Sequence, residues 1–458
     1  MRVAFCTLGC DKNTVDSEYL AGLFKKAGHH VVEDPLFDDN FDAVLINTCG
    51  FIDTARKESI NAILEWIEEN KRRSQKGKPS FRIYVVGCLA QKYCAALMES
   101  LPEVDGFAGV GKWHDIVRMV LSKEKAGRKS TVISTAVSKK PSVKIKQPMP
   151  RKKLDPFPYS YLKISDGCSH RCSFCAIPHI KGPYNSVPRK ILLKEAEVLV
   201  RNGVREINLV AQDINLYGRD IYKNYGLYEL VRDITQLPGK FWVRILYFFP
   251  RILPKKLLTL FQNESKLCSY IDMPLQHASP SVLKRMGRSP DITPVMEMLS
   301  RYRREIPELS IRTTFIVGFP GETRADFNRL VSLVKNFRFD RMGAFLYSPE
   351  EGTRAERLDL PVPSRTAQSR LERLMLAQAD ISMEKNKSFI GKTCEVLIDY
   401  VLPEQNLYLG RTMRDAPEVD GVIYVTSPQK LEPGEFIKVH ITKATVYDLY
   451  GDKVEKHS

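Results

Sequence analysis

The sequence predicts an α/β protein in three parts: an N-terminal parallel-sheet α/β domain, a partial (β/α)6 barrel, and a small C-terminal antiparallel β-barrel. Three observations carry that prediction. Short apolar runs alternate with amphipathic helical stretches in two separate series, the pattern of parallel sheets flanked by helices. A stretch rich in Pro and Lys divides the two series. The last part replaces helices with short β-branched runs broken by turn residues. At 458 residues the chain is too long for one core and should split into several domains. The boundaries fall at 1–122, 123–158, 159–388 and 389–458.

In the first series "RVAFCTLG", "AVLINTCG" and "RIYVVGCLA" read as buried strands, and "VDSEYLAGLFKKAG", "TARKESINAILEWIEEN" and "IVRMVLSKE" as amphipathic helices. Each of these strands runs into a cysteine: Cys10, Cys49 and Cys88. In open parallel sheets ligands sit outside the carboxyl ends of the strands, so residues far apart in sequence can meet at one edge. Small buried cysteines also fill core space. Recurrence at the same strand position, each time beside Gly or Thr ("LGC", "NTCG", "VGCL"), favours a three-thiol site. Cys6, Cys94, Cys268 and Cys394 lack that context and read as core or surface thiols.

The net charge of +16 is unevenly spread. Residues 122–158 hold 11 Lys or Arg against 2 acids, more than half of the excess. With "SKEKAGRKS" and "KQPMPRKKLDPFP" this segment reads as an exposed connector, either a solvated tether or a contact with an RNA-rich partner. Residues 391–458 hold 8 bases against 11 acids. The N-terminus "MRVAFCTLGCDKN" has no apolar region long enough for a secretory signal, and no run approaches a membrane span, so a soluble cytoplasmic protein is expected. Ten cysteines without dense spacing fit reduced thiols in metal or catalytic work better than a disulfide framework.

The second series has six candidate strands: "YLKIS", "EINLVAQD", "FWVRILYF", "SYIDMPLQ", "SIRTTFIVGF" and "RMGAFLYS", with helical stretches between them such as "KILLKEAEVLVRNG" and "ADFNRLVSLVKNF". Six strand–helix units are too few for a closed eight-stranded barrel and suit an open one whose active face lies at the strand ends. A long helical stretch, "SRTAQSRLERLMLAQADISMEKNKSF", leads to "TCEVLIDYV", "LYLGRT", "GVIYVT" and "EFIKVHITKATVYDLYG", which fit a barrel of OB-like size.

Just after the first strand of this series, "SDGCSHRCSFCAIPH" places Cys168, Cys172 and Cys175 within eight residues. Thiolates select iron–sulfur clusters, zinc or cuprous copper. Structural zinc usually takes four ligands, so zinc here would need His170 or His179 as its fourth. Three thiolates on a four-iron cubane leave one iron open to a small molecule.

The C-x3-C-x2-C spacing with an aromatic before its last cysteine resembles the radical S-adenosylmethionine (SAM) superfamily. The resemblance implies that Cys168, Cys172 and Cys175 hold a catalytic 4Fe–4S cluster shielded by Phe174. Its open iron binds the amino and carboxylate groups of SAM, and one electron cleaves SAM to give a 5'-deoxyadenosyl radical. With the strand-end cysteines and the C-terminal barrel, nearly the whole chain is similar to the methylthiotransferases. That family carries a second 4Fe–4S cluster, here on Cys10, Cys49 and Cys88, and a TRAM-type barrel, and it consumes two SAM molecules. "TFIVGFPGET" puts Gly318, Pro320 and Gly321 at a strand end where SAM could approach the backbone, although a simple tight turn reads the same way. "VAQD" and "MPLQH" put Gln212, Asp213, Gln276 and His277 on the expected active face, where the family layout makes them contacts to SAM or substrate.

Within the family, "LGCDKNTVDSE", "NTCGFIDTARKES", "SDGCSHRCSFCAIPHIKG", "AQDINLYG", "LYSPEEGTRA" and "GRTMRDAPEVDG" resemble the RimO-like branch, which modifies the β-carbon of an aspartate in small-subunit ribosomal protein twelve. A second, MiaB-like branch modifies tRNA adenosine. A TRAM barrel that grips RNA should be basic. The acid excess of this one fits a basic ribosomal protein better. The chain departs from the RimO pattern at Asp11, where Pro is usual, and at Val187, where Arg is usual and Arg189 could stand in. The partners expected are thus the ribosomal protein, with tRNA as the alternative substrate, and sulfur and electron donors that the sequence does not name. An iron–sulfur carrier or RNA-binding scaffold without catalysis is the reading from another class.

Overall fold

The computed structural model describes residues 1–33, 35, 40–122, 137, 141–306, 308–405 and 407–455. By contacts these form two compact units: one of Met1–Pro156, Ser165–Ile191 and Glu350–Thr353, the other of Phe157–Ile164, Leu192–Pro349 and Arg354–Ser458.

The first unit is built on a parallel sheet of β1 (Arg2–Thr7), β2 (His30–Val32), β3 (Ala43–Thr48), β4 (Arg82–Gly87) and β5 (Gly106–Ala108), in the order β2-β1-β3-β4-β5. The sequence reading missed β2 and β5, each only three residues long. Helices α1 (Asp11–Lys26), α2 (Asp53–Gln75), α3 (Cys88–Ser100) and α4 (Trp113–Leu121) complete the fold. β3 is buried at every position, as a central strand covered on both faces must be. One face of the sheet packs Val44, Ile46, Ile83 and Val85 against Ile63, Trp66 and Ile67 of α2. In this strand order the chain reverses direction between β1 and β3, and such switch points open a crevice at the carboxyl ends of the strands.

Residues 123–136 and 138–140 of the basic linker lie outside the described residues. The part that follows is not the solvated tether expected. Val143 and Ile145 are buried, Arg151 Nε donates to Glu18 Oε2 at 2.7 Å, and a Cβ on Gly22 would collide with the backbone of Pro150. Apolar residues hidden between the lysines of "VKIK" supply the adhesion that a charge count overlooks.

The second unit holds the six-stranded parallel arc. β6 (Tyr159–Lys163), β9 (Glu206–Val210) and β10 (Trp242–Ile245) form one three-stranded sheet, and β11 (Tyr270–Asp272), β12 (Ser310–Val317) and β13 (Arg341–Leu346) form another. A parallel bridge between Val243 and Leu267 and the bond from Phe248 N–H to Asp272 O link the two halves. Between β6 and β9 in sequence, β7 (Ser165–Asp166) and β8 (Asn185–Ser186) make a short antiparallel pair that belongs to the first unit. β14 (Thr393–Leu402), β15 (Leu407–Arg411), β16 (Ile423–Thr426), β17 (Phe436–Ala444) and β18 (Leu449–Lys453) close into a barrel in the order β14-β15-β16-β18-β17. Val396, Ile398, Val425, Val439 and Ile441 fill it.

Charged residues join this barrel to the arc. Arg411 pairs with Glu206 at 2.8 Å and with Asp399 at 2.6 Å, and Arg244 Nε donates to Glu206 at 2.7 Å, all nearly without solvent exposure. Arg312 reaches Asp272 at 3.2 Å and Asp420 at 3.4 Å, Tyr270 Oη donates to Asp420 at 2.5 Å, and Arg341 Nε donates to Asp415 at 3.1 Å. The segment "GRTMRDAPEVDG" is therefore the plug that fills one end of the arc. This corrects the reading of the barrel's acid excess, because Asp399, Asp415 and Asp420 face arginines inside the molecule and contribute nothing to an outward acidic surface.

Candidate functional site

The carboxyl ends of β1, β3 and β4 bring Cys10, Cys49 and Cys88 together. Cys10 caps the start of α1, and Cys88 is the first residue of α3, so both sit at helix N-termini where the aligned backbone dipoles favour a thiolate. Glycines permit the close approach. Gly9 has φ +91°, and a Cβ there would collide with Cys49. Gly87 has φ +97°, and its Cβ would fall 2.7 Å from Thr48 O and against Asn47 Oδ1. A Cβ on Gly50 would fall 2.8 Å from the Cα of Leu89.

Two asparagines fasten the loops. Asn13 Nδ2 donates to Leu8 O at 2.8 Å and Thr48 O at 3.2 Å; Asn47 Nδ2 donates to Asn13 O at 2.9 Å and Ser17 Oγ at 3.0 Å. Ser59 Oγ accepts from Cys49 N–H and donates to Cys49 O, both at 3.0 Å. Burial pushes the Cys49 thiol up to about 11, with the neighbouring Cys10 adding and Lys181 opposing. Burial raises Cys88 further, again against the pull of Lys181.

The Cys168–Cys175 loop is braced at both ends by the β7–β8 pair, Ser165 with Ser186 and Asp166 with Asn185. Cys168 N–H donates to Gly182 O at 3.0 Å, Cys175 N–H to Cys172 O at 3.3 Å, and Tyr184 N–H to Ser169 Oγ at 3.2 Å. Cys168 is buried, whereas Cys172, Phe174 and Cys175 are half-buried, and the helix Ile177–Lys181 follows at once. His170 is half-buried and His179 exposed. Among the described residues no three His, Cys, Asp or Glu side chains converge on one metal ion. A four-iron cubane takes one thiolate per iron, so its ligands stand apart around the corners rather than meeting at a point.

The sequence reading overlooked a buried ion cluster in the same compact unit. Lys181 Nζ lies 3.3 Å from Asp166 Oδ1 and 3.7 Å from Asp16 Oδ2 on α1. Burial works against its charge, but Asp166, Asp16, Cys88 and Cys10 hold it well above the ordinary lysine range. In the same unit, Glu350 of "SPEEG" is buried with Lys92 of α3 at 3.1 Å and Arg56 of α2 at 3.4 Å. Pairing between such distant positions has no local sequence signal, although a lysine within the "IPHIKG" motif could have drawn attention.

In the second unit, the expected contacts divide by environment. Gln212 Oε1 and Gln276 Oε1 are buried without a hydrogen-bond partner, and Gln276 adopts φ +72°, a strained conformation for a non-glycine residue. Asn208 on β9, which the sequence reading did not select, is fully buried with neither amide atom partnered. Orphaned buried amides are costly and fit a polar ligand in the arc. Asp213 is occupied: Oδ1 accepts from Asn215 N–H at 2.9 Å, and Oδ2 pairs with Arg251 at 2.9 Å. The turn at Gly318, Pro320 and Gly321 is held from within. Glu322 accepts from the N–H groups of Gly318 and Phe319, and Arg285 donates to Pro320 O at 3.0 Å and Gly321 O at 2.8 Å. His277 is buried beside Glu322, with Nδ1 accepting from Ser279 N–H at 2.9 Å.

Comparison with known proteins finds three family models along the chain. "Radical SAM superfamily" matches residues 162–334, "Uncharacterized protein family UPF0004" residues 2–109, and "TRAM domain" residues 390–454. A Desulfitobacterium hafniense protein named ribosomal protein uS12 methylthiotransferase RimO is 40% identical over 454 residues, 99% of each chain. Proteins of the same name from a Thermoanaerobacter species and Clostridioides difficile are 40% and 39% identical, covering 98% and 99% of this chain and 99% and 98% of theirs. Among solved structures, the radical SAM methyltransferase TsrM of Kitasatospora setae matches with TM-score 0.56 at 16% identity over 76% of each chain, a likeness of fold. No described helix is long and apolar enough to cross a membrane.

Proposed function

This chain belongs to the RimO family of radical SAM ribosomal protein uS12 methylthiotransferases, and from that premise we propose that it adds a methylthio group to the β-carbon of an aspartyl residue of that ribosomal protein, in the cytoplasm. The observation that carries the proposal is the gathering of Cys10, Cys49 and Cys88 at one sheet edge, in the same compact unit as the Cys168–Cys175 loop. Membership of this family brings SAM and 4Fe–4S clusters as cofactors.

Cys168, Cys172 and Cys175 would hold the radical cluster, and Cys10, Cys49 and Cys88 the auxiliary one. When bound, these groups and SAM supply hydrogen abstraction, the methyl group and the sulfur. Gln212 and Gln276, with Asn208 on β9, would receive SAM through their unpartnered buried amides, and the turn at 318–321 follows the end of β12 on the same arc. Asp213 acts one step removed, by orienting Arg251, whereas His277, whose buried Nε2 has no hydrogen-bond partner, would face SAM or substrate with the glutamines. Because burial keeps Cys49 and Cys88 protonated without metal, cluster assembly must release protons, and the helix N-termini behind Cys10 and Cys88 favour that release. In this reading residues 1–122 serve the auxiliary cluster, 123–158 join it to the core, 159–388 form the radical SAM core, and 389–458 complete the core and meet the substrate.

The test is anaerobic. Reconstituted, reduced protein is given SAM and sulfide with either uS12 or unmodified tRNA, and both products are examined by mass spectrometry. A methylthio increment on an aspartyl peptide is expected; an increment on tRNA alone would overturn the substrate assignment.

A further inference from the structure

Lys181 occupies an unusual position. It ends the helix that follows the Cys168–Cys175 loop, yet one of its partners, Asp16, lies on α1, the helix that Cys10 caps. Its other partner, Asp166, starts the strand turn that leads into Cys168. The side chain is 2% exposed, so its charge is little screened by solvent. The helix that it ends packs against α3, whose first residue is Cys88, and its partner Asp16 lies on the helix capped by Cys10, so Lys181 is held against both helices that begin at these cysteines.

We propose that Lys181 and Asp166 are positioning residues of opposite sign that set the reduction potential of the cluster held by Cys10, Cys49 and Cys88, while tying that site to the Cys168–Cys175 loop. The proposal rests on the two-cluster reading above. A buried lysine with two carboxylates costs desolvation energy that a methionine of similar size would avoid, so stability alone gives little reason to keep it. A cluster's potential follows its net charge and the fixed charges around it. A nearby cation stabilises the reduced, more negative state, and a nearby anion destabilises it.

The experiment uses the full chain with Cys168, Cys172 and Cys175 changed to Ala, so that only the auxiliary site can hold iron. In that background the midpoint potential is measured by anaerobic titration followed by electron paramagnetic resonance, with iron and sulfide determined on each sample. Lys181→Met is expected to lower the potential, Asp166→Asn to raise it, and Lys181→Arg to restore it to the parent value. A purely structural role would not reverse sign between the two removals. Equal potentials in all variants at equal iron content would overturn the proposal and leave the two-cluster reading intact. A parent that holds no iron would overturn both. Should Lys181→Met lose its iron through misfolding, Asp166→Asn and Lys181→Arg still decide the matter, because an unchanged potential in Asp166→Asn contradicts the proposal.

Discussion

At the scale of single residues, the proposed auxiliary site depends on atoms that are missing. Gly87 stands in a region of backbone space open to glycine, and a Cβ there meets Asn47 and Thr48, which hold the Cys49 loop. Gly28 has a similar φ of +81° with nothing within 4 Å of the added carbon. Gly87, at φ +97° and ψ −155°, lies where side chains are essentially excluded, so Ala there costs about 1–3 kcal/mol, while Gly28→Ala costs about 1–2 kcal/mol. Only Gly87→Ala must also push two cysteine loops apart. Iron analysis after reconstitution should therefore show Gly87→Ala keeping about half of the parent's iron, one cluster of two. Gly28→Ala should keep all of it while melting slightly lower. Equal iron in the two variants would mean that the close approach at Gly87 is not what seats the cluster. The cysteines themselves were legible in the sequence because each ends an apolar strand. Asn13, Asn47 and Lys181 were not, because each has a partner 30 residues or more away, and no local pattern records such a pairing.

At the scale of elements, the segment from Gly410 to Gly421 changes the meaning of the C-terminal barrel. Its motif was conspicuous in the sequence, but its role was not. Counting acids treats Asp399, Asp415 and Asp420 as surface charge, whereas each faces a buried or half-buried arginine. Six strands were also readable from apolar runs, and with them the open arc. What fills its end was invisible, because Glu206 and Arg411 are 205 positions apart and the pair exists only once both elements are in place. Removing one partner of a buried charge network leaves the others uncompensated, at a cost of about 3–5 kcal/mol. Arg411→Met should therefore lower the unfolding midpoint sharply. Exchanging Arg411 and Glu206 together for Met and Gln should cost less than the two single changes summed, since the double variant leaves Asp399 balanced by Arg244 where each single change leaves a net buried charge. Losses in the double variant equal to the sum of the two single ones would show that the pair is not coupled.

For the whole molecule, the same network predicts how stability responds to acid. Burial alone would raise Glu206, Asp340 and Asp415, yet their arginine and lysine partners hold all three below the usual carboxylate range. A group lowered on folding contributes stability that is present above its unfolded pKa, about 4 for Asp and Glu, and is lost as pH falls through its folded value. Asp272 and Asp399 work in the opposite sense. Burial raises both, so the folded protein takes up their protons first, and this uptake adds stability between their folded values and about pH 4. The expected profile is shallow on the way down to about pH 4 and steep below it, where only the lowered groups remain to be protonated. Trp242 stacks edge-on against Phe436 at 5.0 Å between arc and barrel, and makes a local reporter once Trp66 and Trp113 are changed to Phe. Thermal unfolding followed by its fluorescence from pH 7 to pH 3 should show the midpoint dropping steeply in the last unit. A midpoint that stays level to pH 3 would mean that the buried carboxylates do not hold the barrel in place, and that the apolar contact at Trp242 suffices.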